Sequence, residues 1–230
     1  MPPDRRAIQR SLYRPKHMKY RAILLFGAPG AGKGTQGKIL GQIPNFIHFS
    51  CGDAFRNLRV DSQLGRVFIE YASQGQLVPD EPTIELWHGS IQGFIAAGRF
   101  NPEADTLLLD GIPRNPNQVR LMREMIDVKS IFNLYCSSQD KLIARLQRRA
   151  LRENRLDDAN VETIRARLET YKRETRAVLE CYEESIVHQI DSTQEPLLVL
   201  LDVLKTVARI PKPAVSDGAT VFMAKPVPPA

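Results

Sequence analysis

A glycine-rich segment at residues 27–36, GAPGAGKGTQ, restricts the fold of this 230-residue chain more than any other part of its sequence. It follows directly after the apolar run AILLF at residues 22–26, which predicts a buried strand, and it precedes a helical pattern. Its glycines let the backbone curl with the N–H groups pointing inward, so that the loop and the helix N-terminus form a cradle for phosphate oxygens. Lys33 can reach the β- and γ-phosphates of a nucleoside triphosphate.

The spacing of this segment agrees with the general phosphate-loop pattern G-x-x-x-x-G-K-[ST] as far as Lys33, but Gly34 stands at the Ser/Thr position and Thr35 comes one residue later. The hydroxyl that binds magnesium in ordinary phosphate loops is therefore displaced. The dinucleotide-binding pattern G-x-G-x-x-G is excluded, since Thr35 occupies the position of its last glycine. The residues predicted to contact the donor phosphates are Gly30, Ala31, Gly32, Lys33, Gly34 and Thr35.

Five short apolar runs predict the strands of a sheet. They are continuous rather than alternating, which is typical of strands covered on both faces. Helical patterns separate them, and the clearest begins near Val161, where apolar residues recur at three- or four-residue steps. Strands alternating with helices indicate an α/β fold with a doubly wound, parallel, five-stranded sheet and helices on both faces. The five runs lie at residues 22–26, 46–49, 106–109, 130–135 and 186–190.

The formal net charge of +6 is concentrated near the N-terminus. Residues 1–21 hold seven basic side chains and one acidic side chain, so the rest of the chain is neutral overall. We therefore expect no nucleic-acid-binding surface on the core, which we place at residues 21–210. No apolar run approaches the roughly 20 residues that a membrane-spanning helix needs, so no membrane span is expected.

The two terminal segments differ from the core in composition. Residues 1–20 are basic and have no apolar stretch typical of a secretory signal, so we interpret them as a solvated or loosely docked extension. A transit peptide for an organelle, or a segment that binds an anionic surface, is the alternative. Residues 211–230 contain five prolines and few large apolar groups, which predicts a mostly disordered tail.

The three cysteines are widely separated in sequence and include no C-x-x-C pair. An odd number at such spacing argues against a disulfide framework and against a structural zinc site. A reducing compartment is favoured, and we expect the protein to be cytoplasmic.

The form of the phosphate loop, G-x-P-G-x-G-K-G-T-Q, resembles that of the nucleoside monophosphate kinases, and of the adenylate kinases above all. Three further segments resemble motifs of that family in the family's order. The resemblance covers about residues 21–210. It implies a P-loop NTPase-like fold with a small acceptor-nucleotide-binding insertion at about residues 50–79 and a short lid at about 146–156. The three segments are HFSCGDAFR at residues 48–56, GQLVPDE at 75–81 and LDGIPRNPNQ at 109–118.

The resemblance implies that Arg56 and Arg114 hold the phosphate of an acceptor monophosphate, and that Gln118 reads the edge of adenine. Cys51 stands where adenylate kinases usually have Thr beside the acceptor base, and a thiol is a weaker donor and acceptor than a hydroxyl. Asn115 resembles the P-R-N of pyrimidine kinases. The residues that the resemblance assigns to AMP are Cys51, Arg56, Leu77, Val78, Gly111, Arg114, Gln118, Arg155 and Arg167.

Asp110 follows a predicted strand directly, at the edge of the sheet where open α/β folds bind their ligands. A single carboxylate at that place suits a magnesium ion held through water, because Mg²⁺ keeps much of its hydration. The expected cofactor is therefore Mg²⁺ bound with ATP, and no zinc is expected.

Arginines follow the fourth predicted strand in the order found in the family's lid. The resemblance places Arg145 on the donor adenine and Arg149 on phosphate, with Arg148 as a substitute for Arg149. Asp157 or Asp158 would hold the lid arginines. Only five residues separate Arg149 from Arg155, which resembles the short-lid type without metal. The expected catalytic residues are Lys33, Arg114, Arg149, Arg155 and Arg167.

The sequence thus predicts a short-lid enzyme similar to adenylate kinases, which transfers phosphate from MgATP to AMP and yields two ADP. Its expected partners are ATP and AMP, and short-lid relatives are commonly monomers, which is the state expected here. Two alternatives stay open: a kinase for UMP, CMP or GMP with the same fold, and a catalytically weak nucleotide-binding sensor or scaffold.

Overall fold

The structure, a computed structural model, describes residues 19–153, 155–158 and 160–211. Most of the predicted basic extension and Pro-rich tail, residues 1–18 and 212–230, lies outside the described residues. Tyr20, at the boundary that we predicted between the extension and the core, is the first residue of a strand. The predicted limits of the insertion and of the lid stay predictions.

The described residues form one sheet of five parallel strands, in the spatial order β2-β3-β1-β4-β5. The predicted sheet is confirmed. Its strands are β1 (Tyr20–Gly27), β2 (Phe46–Ser50), β3 (Thr106–Asp110), β4 (Ile126–Tyr135) and β5 (Val187–Asp191).

Helices connect the strands in the described part of the chain. Short 3-10 turns at Leu156–Asp158 and Glu184–Ile186 flank the longest of them. None of the described helices is long and apolar enough to cross a bilayer. The helices are α1 (Lys33–Leu40), α2 (Cys51–Arg56), α3 (Gln63–Ser73), α4 (Asp80–Ala96), α5 (Pro116–Met122), α6 (Gln139–Glu153), α7 (Val161–Leu179) and α8 (Pro196–Val207).

The core consists of two apolar layers, one on each face of the sheet. Successive side chains of β1 alternate between them: Leu24 packs with residues of α2, α4 and α5, whereas Ile23 packs with residues of α1, α6, α7 and α8. Because helices cover both faces, all five positions of β3 and residues 22–27 of β1 are buried. This is why the strands read as continuous apolar runs.

The strand boundaries differ from the sequence prediction by one or two residues, except at the start of β4, where the difference is larger. β4 begins at Ile126, four residues early, because its N-terminal part pairs with β1 although polar side chains interrupt its apolar run. Ile186 lies in a 3-10 turn, so β5 begins at Val187. The helix predicted near Val161 is confirmed, and it ends at Leu179.

The C-terminal half of α6 lies where the short lid was predicted. α6 continues without a break to Glu153, and the 3-10 turn at Leu156–Asp158 then leads towards α7. The predicted lid at residues 146–156 is therefore largely the C-terminal half of a helix, so arginines in this region are presented at helical spacing.

We expect Leu24→Ala to lower the free energy of unfolding by about 3 kcal/mol, as fully buried Leu-to-Ala changes do. Leu24 is inaccessible to solvent and lies between Leu109 of β3 and Ile131 of β4. Leu197→Ala is the matched control, because Leu197 is 73% exposed on α8 and should change stability by less than about 0.5 kcal/mol. Urea unfolding measures both, and equal losses would contradict the placement of the core.

Candidate active site

A cavity of about 600 Å³ opens at the carboxyl ends of β1 and β3, within the size range of small-molecule sites. Every site residue predicted from the sequence lines it, including those assigned to donor, acceptor and metal. The parallel strands send the phosphate loop and Asp110 to the same edge, where Leu25 and Asp110 are register partners. The individual roles of these residues stay predictions.

The phosphate loop lies between β1 and α1 and needs glycine at defined positions. Gly32 caps α1 in the left-handed region, with φ of 97°. Gly30 has φ of 84°, and a Cβ there would lie 3.0 Å from the carbonyl oxygen of Leu142. Glycine is therefore required at Gly32 for backbone conformation alone, and at Gly30 also for the close approach of α6.

The side chain of Lys33 folds back onto the loop that it belongs to and is half-buried. Its Nζ donates hydrogen bonds to the carbonyl oxygens of Gly27 at 2.6 Å and Ala28 at 3.2 Å. Burial lowers the pKa of Lys33 to about 8; the carboxylate of Asp110 opposes this shift, and three nearby arginines add to it. An arriving phosphate would supply the negative charge that this ammonium group lacks.

Cys51 begins α2 and lies in the wall of the cavity. Its side chain is 2% exposed, and burial raises the pKa of the thiol to about 11, so the group is a neutral thiol at pH 7. Ser50 caps the same helix, its Oγ accepting a hydrogen bond from the N–H of Asp53 at 3.2 Å. With Leu77 and Val78, Cys51 forms a largely apolar part of the lining.

Arg114 and Gln118 follow β3 and face the cavity. The Nε of Arg114 donates to the carbonyl oxygen of Gly111 at 2.8 Å, and its backbone N–H donates to Oε1 of Gln118 at 2.8 Å. Asn115 does not line the cavity. Its Oδ1 caps α5 by accepting the N–H of Gln118 at 2.8 Å, and its Nδ2 donates to Asp80.

Two buried aspartates hold arginines from three helices. Asp158 accepts the Nε of Arg149 at 2.8 Å and also pairs with Arg167. Asp157 lies 3.0 Å from Arg167 and 3.5 Å from Arg56. The sequence left open which aspartate holds the lid arginines; in the structure both do.

Arg155 is held from two sides. Its Nε donates to Glu153 at 2.5 Å, and its Nη2 lies 3.7 Å from the carboxylate of Asp53. Asp53 also pairs with Arg56. Burial opposes ionisation of Asp53, but the hydrogen bond and charge of Arg56 outweigh it and lower the pKa of this carboxyl.

Comparison with known proteins agrees with this arrangement: the family model for adenylate kinase matches residues 25–187. The chain belongs to the adenylate kinase family. The adenylate kinase of Corynebacterium urealyticum is 35% identical over 191 residues, which cover 78% of this chain and 98% of that enzyme. The adenylate kinase of Parabacteroides distasonis is 32% identical over 166 residues, covering 70% and 83%.

A second group of relatives carries another name. The UMP-CMP kinase of Bos taurus is 32% identical over 194 residues, which cover 82% of this chain and 97% of that enzyme. Relatives named adenylate kinase and relatives named UMP-CMP kinase thus both match this chain over most of their own length. The chain is a nucleoside monophosphate kinase.

The family generally uses ATP together with magnesium, and the cavity suits that ion. Asp110 is 8% exposed, and a Cβ added at Gly34 would lie 3.6 Å from its Oδ2, so the carboxylate stands beside the phosphate loop. The described residues include no group of three or more acidic, His or Cys side chains that would enclose a metal. Magnesium is commonly bound by one or two carboxylates together with substrate phosphates and water, and this donor set fits.

Several lining residues were missed by sequence reasoning. Arg152 continues the spacing of Arg145 and Arg148 along α6, and the helical period could have found it. Asp53 lies inside the HFSCGDAFR motif but was given no role. No local signal marks the residues after β5, because only packing brings them to the cavity. These are Ser192, Gln194, Pro196 and Val199.

We expect the affinity of the free enzyme for ATP to fall about tenfold between pH 7 and pH 9, because Lys33 loses its proton near pH 8 and the protonated form binds phosphate. ATP binding should correspondingly take up protons near pH 8. Calorimetry in buffers of different ionisation enthalpy measures both quantities. Lys33→Met is the control and should remove the proton uptake; an affinity of wild-type enzyme that is constant over this range would contradict the low pKa.

Proposed function

We propose that this enzyme transfers the terminal phosphoryl group of MgATP to AMP and forms two ADP. The observation that carries the choice of acceptor is the placement of Gln118. Its carboxamide lines the cavity, whereas Asn115, the residue that resembles pyrimidine kinases, caps α5 away from the lining. A carboxamide offers a donor and an acceptor side by side, which matches the amino group and ring nitrogen of adenine.

Phosphoryl transfer depends on alignment of two nucleotides and on neutralising the charge of the moving group. In this proposal Lys33 and the backbone N–H groups of the loop hold the donor phosphates. Arg149, Arg155 and Arg167 lie on the opposite side of the reacting phosphates. Arginine suits this task because its planar fork pairs with phosphate oxygens and stays charged.

The acceptor phosphate is assigned to Arg56 and Arg114. It is ionised near pH 7 and is itself the nucleophile, so the proposal needs no general base. Magnesium bound near Asp110 would supply further neutralisation of the donor phosphates. Closure of the arginine-bearing segments would exclude water, which would otherwise compete as the acceptor.

A pyrimidine acceptor is the second candidate. It is favoured by Cys51, whose neutral thiol replaces the hydroxyl usual beside adenine, and by the similarity to the Bos taurus enzyme named UMP-CMP kinase. It would use the same phosphate machinery, so only the base distinguishes the two proposals.

The deciding experiment supplies the full-length enzyme with MgATP and, in turn, AMP, UMP, CMP and GMP, and measures the diphosphates formed. Highest kcat/KM with AMP is expected. A preference for UMP or CMP would overturn the choice of acceptor, and absence of turnover with all four would overturn the proposed reaction.

We expect Arg114→Ala to lower kcat by about a hundredfold or more, as loss of a transition-state charge contact does. Arg123→Ala is the matched control and should leave kcat unchanged, because Arg123 is an exposed residue at the end of α5 outside the cavity. Steady-state kinetics with AMP measures both. Near-normal turnover of Arg114→Ala would remove Arg114 from the phosphate-binding machinery.

We also propose that the enzyme acts as a monomer in the cytoplasm. The monomer is supported by the resemblance to short-lid relatives, which are commonly monomers. Light scattering during size-exclusion chromatography tests it, and a dimer whose dissociation lowers activity would contradict it.

A further inference from the structure

Asp80 begins α4, directly after the segment that leads back from the acceptor side of the cavity. Its carboxylate accepts hydrogen bonds from three side-chain amides: Asn115 at 2.8 Å, Asn117 at 2.6 Å and Gln118 at 2.8 Å. Asp80 itself does not line the cavity, but Gln118 does. The carboxylate therefore reaches the nucleotide only through Gln118.

Gln118 is 1% exposed and is held at three points. Its backbone N–H donates to Asn115, its Nε2 donates to Asp80, and its Oε1 accepts the backbone N–H of Arg114, each at 2.8 Å. Both ends of the carboxamide are thus fixed by groups of opposite character, a pure acceptor on one side and a pure donor on the other.

These two partners determine which way the carboxamide points. Burial opposes ionisation of Asp80, but the three amide donors outweigh it and lower the pKa of the carboxyl. Above that pKa a carboxylate can only accept, and the backbone N–H of Arg114 can only donate. Rotating the Gln118 amide by 180° would set oxygen against oxygen and N–H against N–H, so both hydrogen bonds would be lost.

The orientation matters because the bases differ in the order of their donors and acceptors. Adenine and cytosine present an amino group beside a ring acceptor, whereas uracil and guanine present a carbonyl beside a ring N–H. A carboxamide that can rotate by 180° can pair with both kinds of base, whereas a carboxamide of fixed orientation can pair with only one kind. The remaining N–H and lone pair of Gln118 stay in a fixed order.

We propose that Asp80 is a positioning residue that fixes the orientation of the Gln118 amide and thereby makes the acceptor site select bases by the order of their donor and acceptor groups. This inference rests on the proposed function, since it assigns a selectivity device to the acceptor site. It also gives Asn115 and Asn117 a task, because their amides help to hold the carboxylate of Asp80 in place.

Asp80→Asn tests the inference. Asn can both donate and accept, so the partner at position 80 no longer opposes rotation of the Gln118 amide, and only the hydrogen bond from the backbone N–H of Arg114 still favours the original orientation. We expect the ratio of kcat/KM for AMP to kcat/KM for UMP to fall about tenfold, the size of one hydrogen bond of discrimination, mainly through KM for AMP. The KM for ATP and the kcat with AMP should change by less than about threefold. Glu81→Gln is the matched control and should leave the ratio unchanged, because Glu81 is an exposed carboxylate in the same helical turn, outside the cavity.

Gln118→Ala separates positioning from general stabilisation. In that background Asp80→Asn should no longer alter the ratio, because the residue through which it acts is gone. Asp80→Ser is the second variant, since its hydroxyl also donates and accepts; thermal unfolding establishes that each protein is folded. The inference is overturned if Asp80→Asn or Asp80→Ser lowers kcat/KM for all acceptors alike, or if its effect on the ratio persists without Gln118.

Failure of the inference and failure of the proposed function give different results. A wild-type enzyme that prefers UMP would overturn AMP as the acceptor, yet loss of that preference in Asp80→Asn would still support the positioning role. A wild-type enzyme that prefers AMP, with the same preference in Asp80→Asn, would keep the proposed function and overturn the positioning role.

Discussion

The carboxylates of Asp157 and Asp158 hold arginines that come from three separate helices, and the shape of the cavity depends on this pairing. Arg56 lies on α2, Arg149 on α6 and Arg167 on α7, so the two acids connect the acceptor side of the cavity to the segments opposite. Cations collected in one partly buried place repel one another more strongly than they would in water. Buried counter-charges remove much of that repulsion, and they let the protein keep a phosphate-binding cluster together by its own contacts.

The parallel sheet positions the other part of the site, which is the phosphate loop and Asp110. Parallel strands bring the end of β1 and the end of β3 to one edge of the sheet. The phosphate loop and Asp110 therefore lie close together, although they are far apart in the chain. Lys33 is held against loop carbonyls at that edge, with its pKa lowered to about 8. Among the described residues its ammonium group forms no ion pair with an acidic side chain, and a bound phosphate would provide the counter-charge. Binding of an anion is therefore expected to stabilise the loop.

Recognition of the phosphate and recognition of the base depend on different interactions. Charge attracts any nucleotide, because every nucleotide carries phosphate, and so the arginines cannot tell one base from another. Discrimination requires neutral donors and acceptors in a fixed order, which is what the amide of Gln118 offers between Asp80 and the backbone of Arg114. In the proposed function, the acceptor site thus combines arginines that bind phosphate strongly with an oriented amide that selects the base.

The sequence by itself determined the parts whose signals are local. The phosphate loop with Lys33, the five apolar runs and the motif residues could be found in it, because a turn, a buried strand and a helix spacing depend on neighbours in the chain. The tertiary structure alone decided the partners. It made Asn115 a partner of Asp80, it extended β4 through pairing with β1, and it brought residues after β5 to the cavity. Each of these depends on contacts between segments far apart in the chain, for which the local sequence carries no signal.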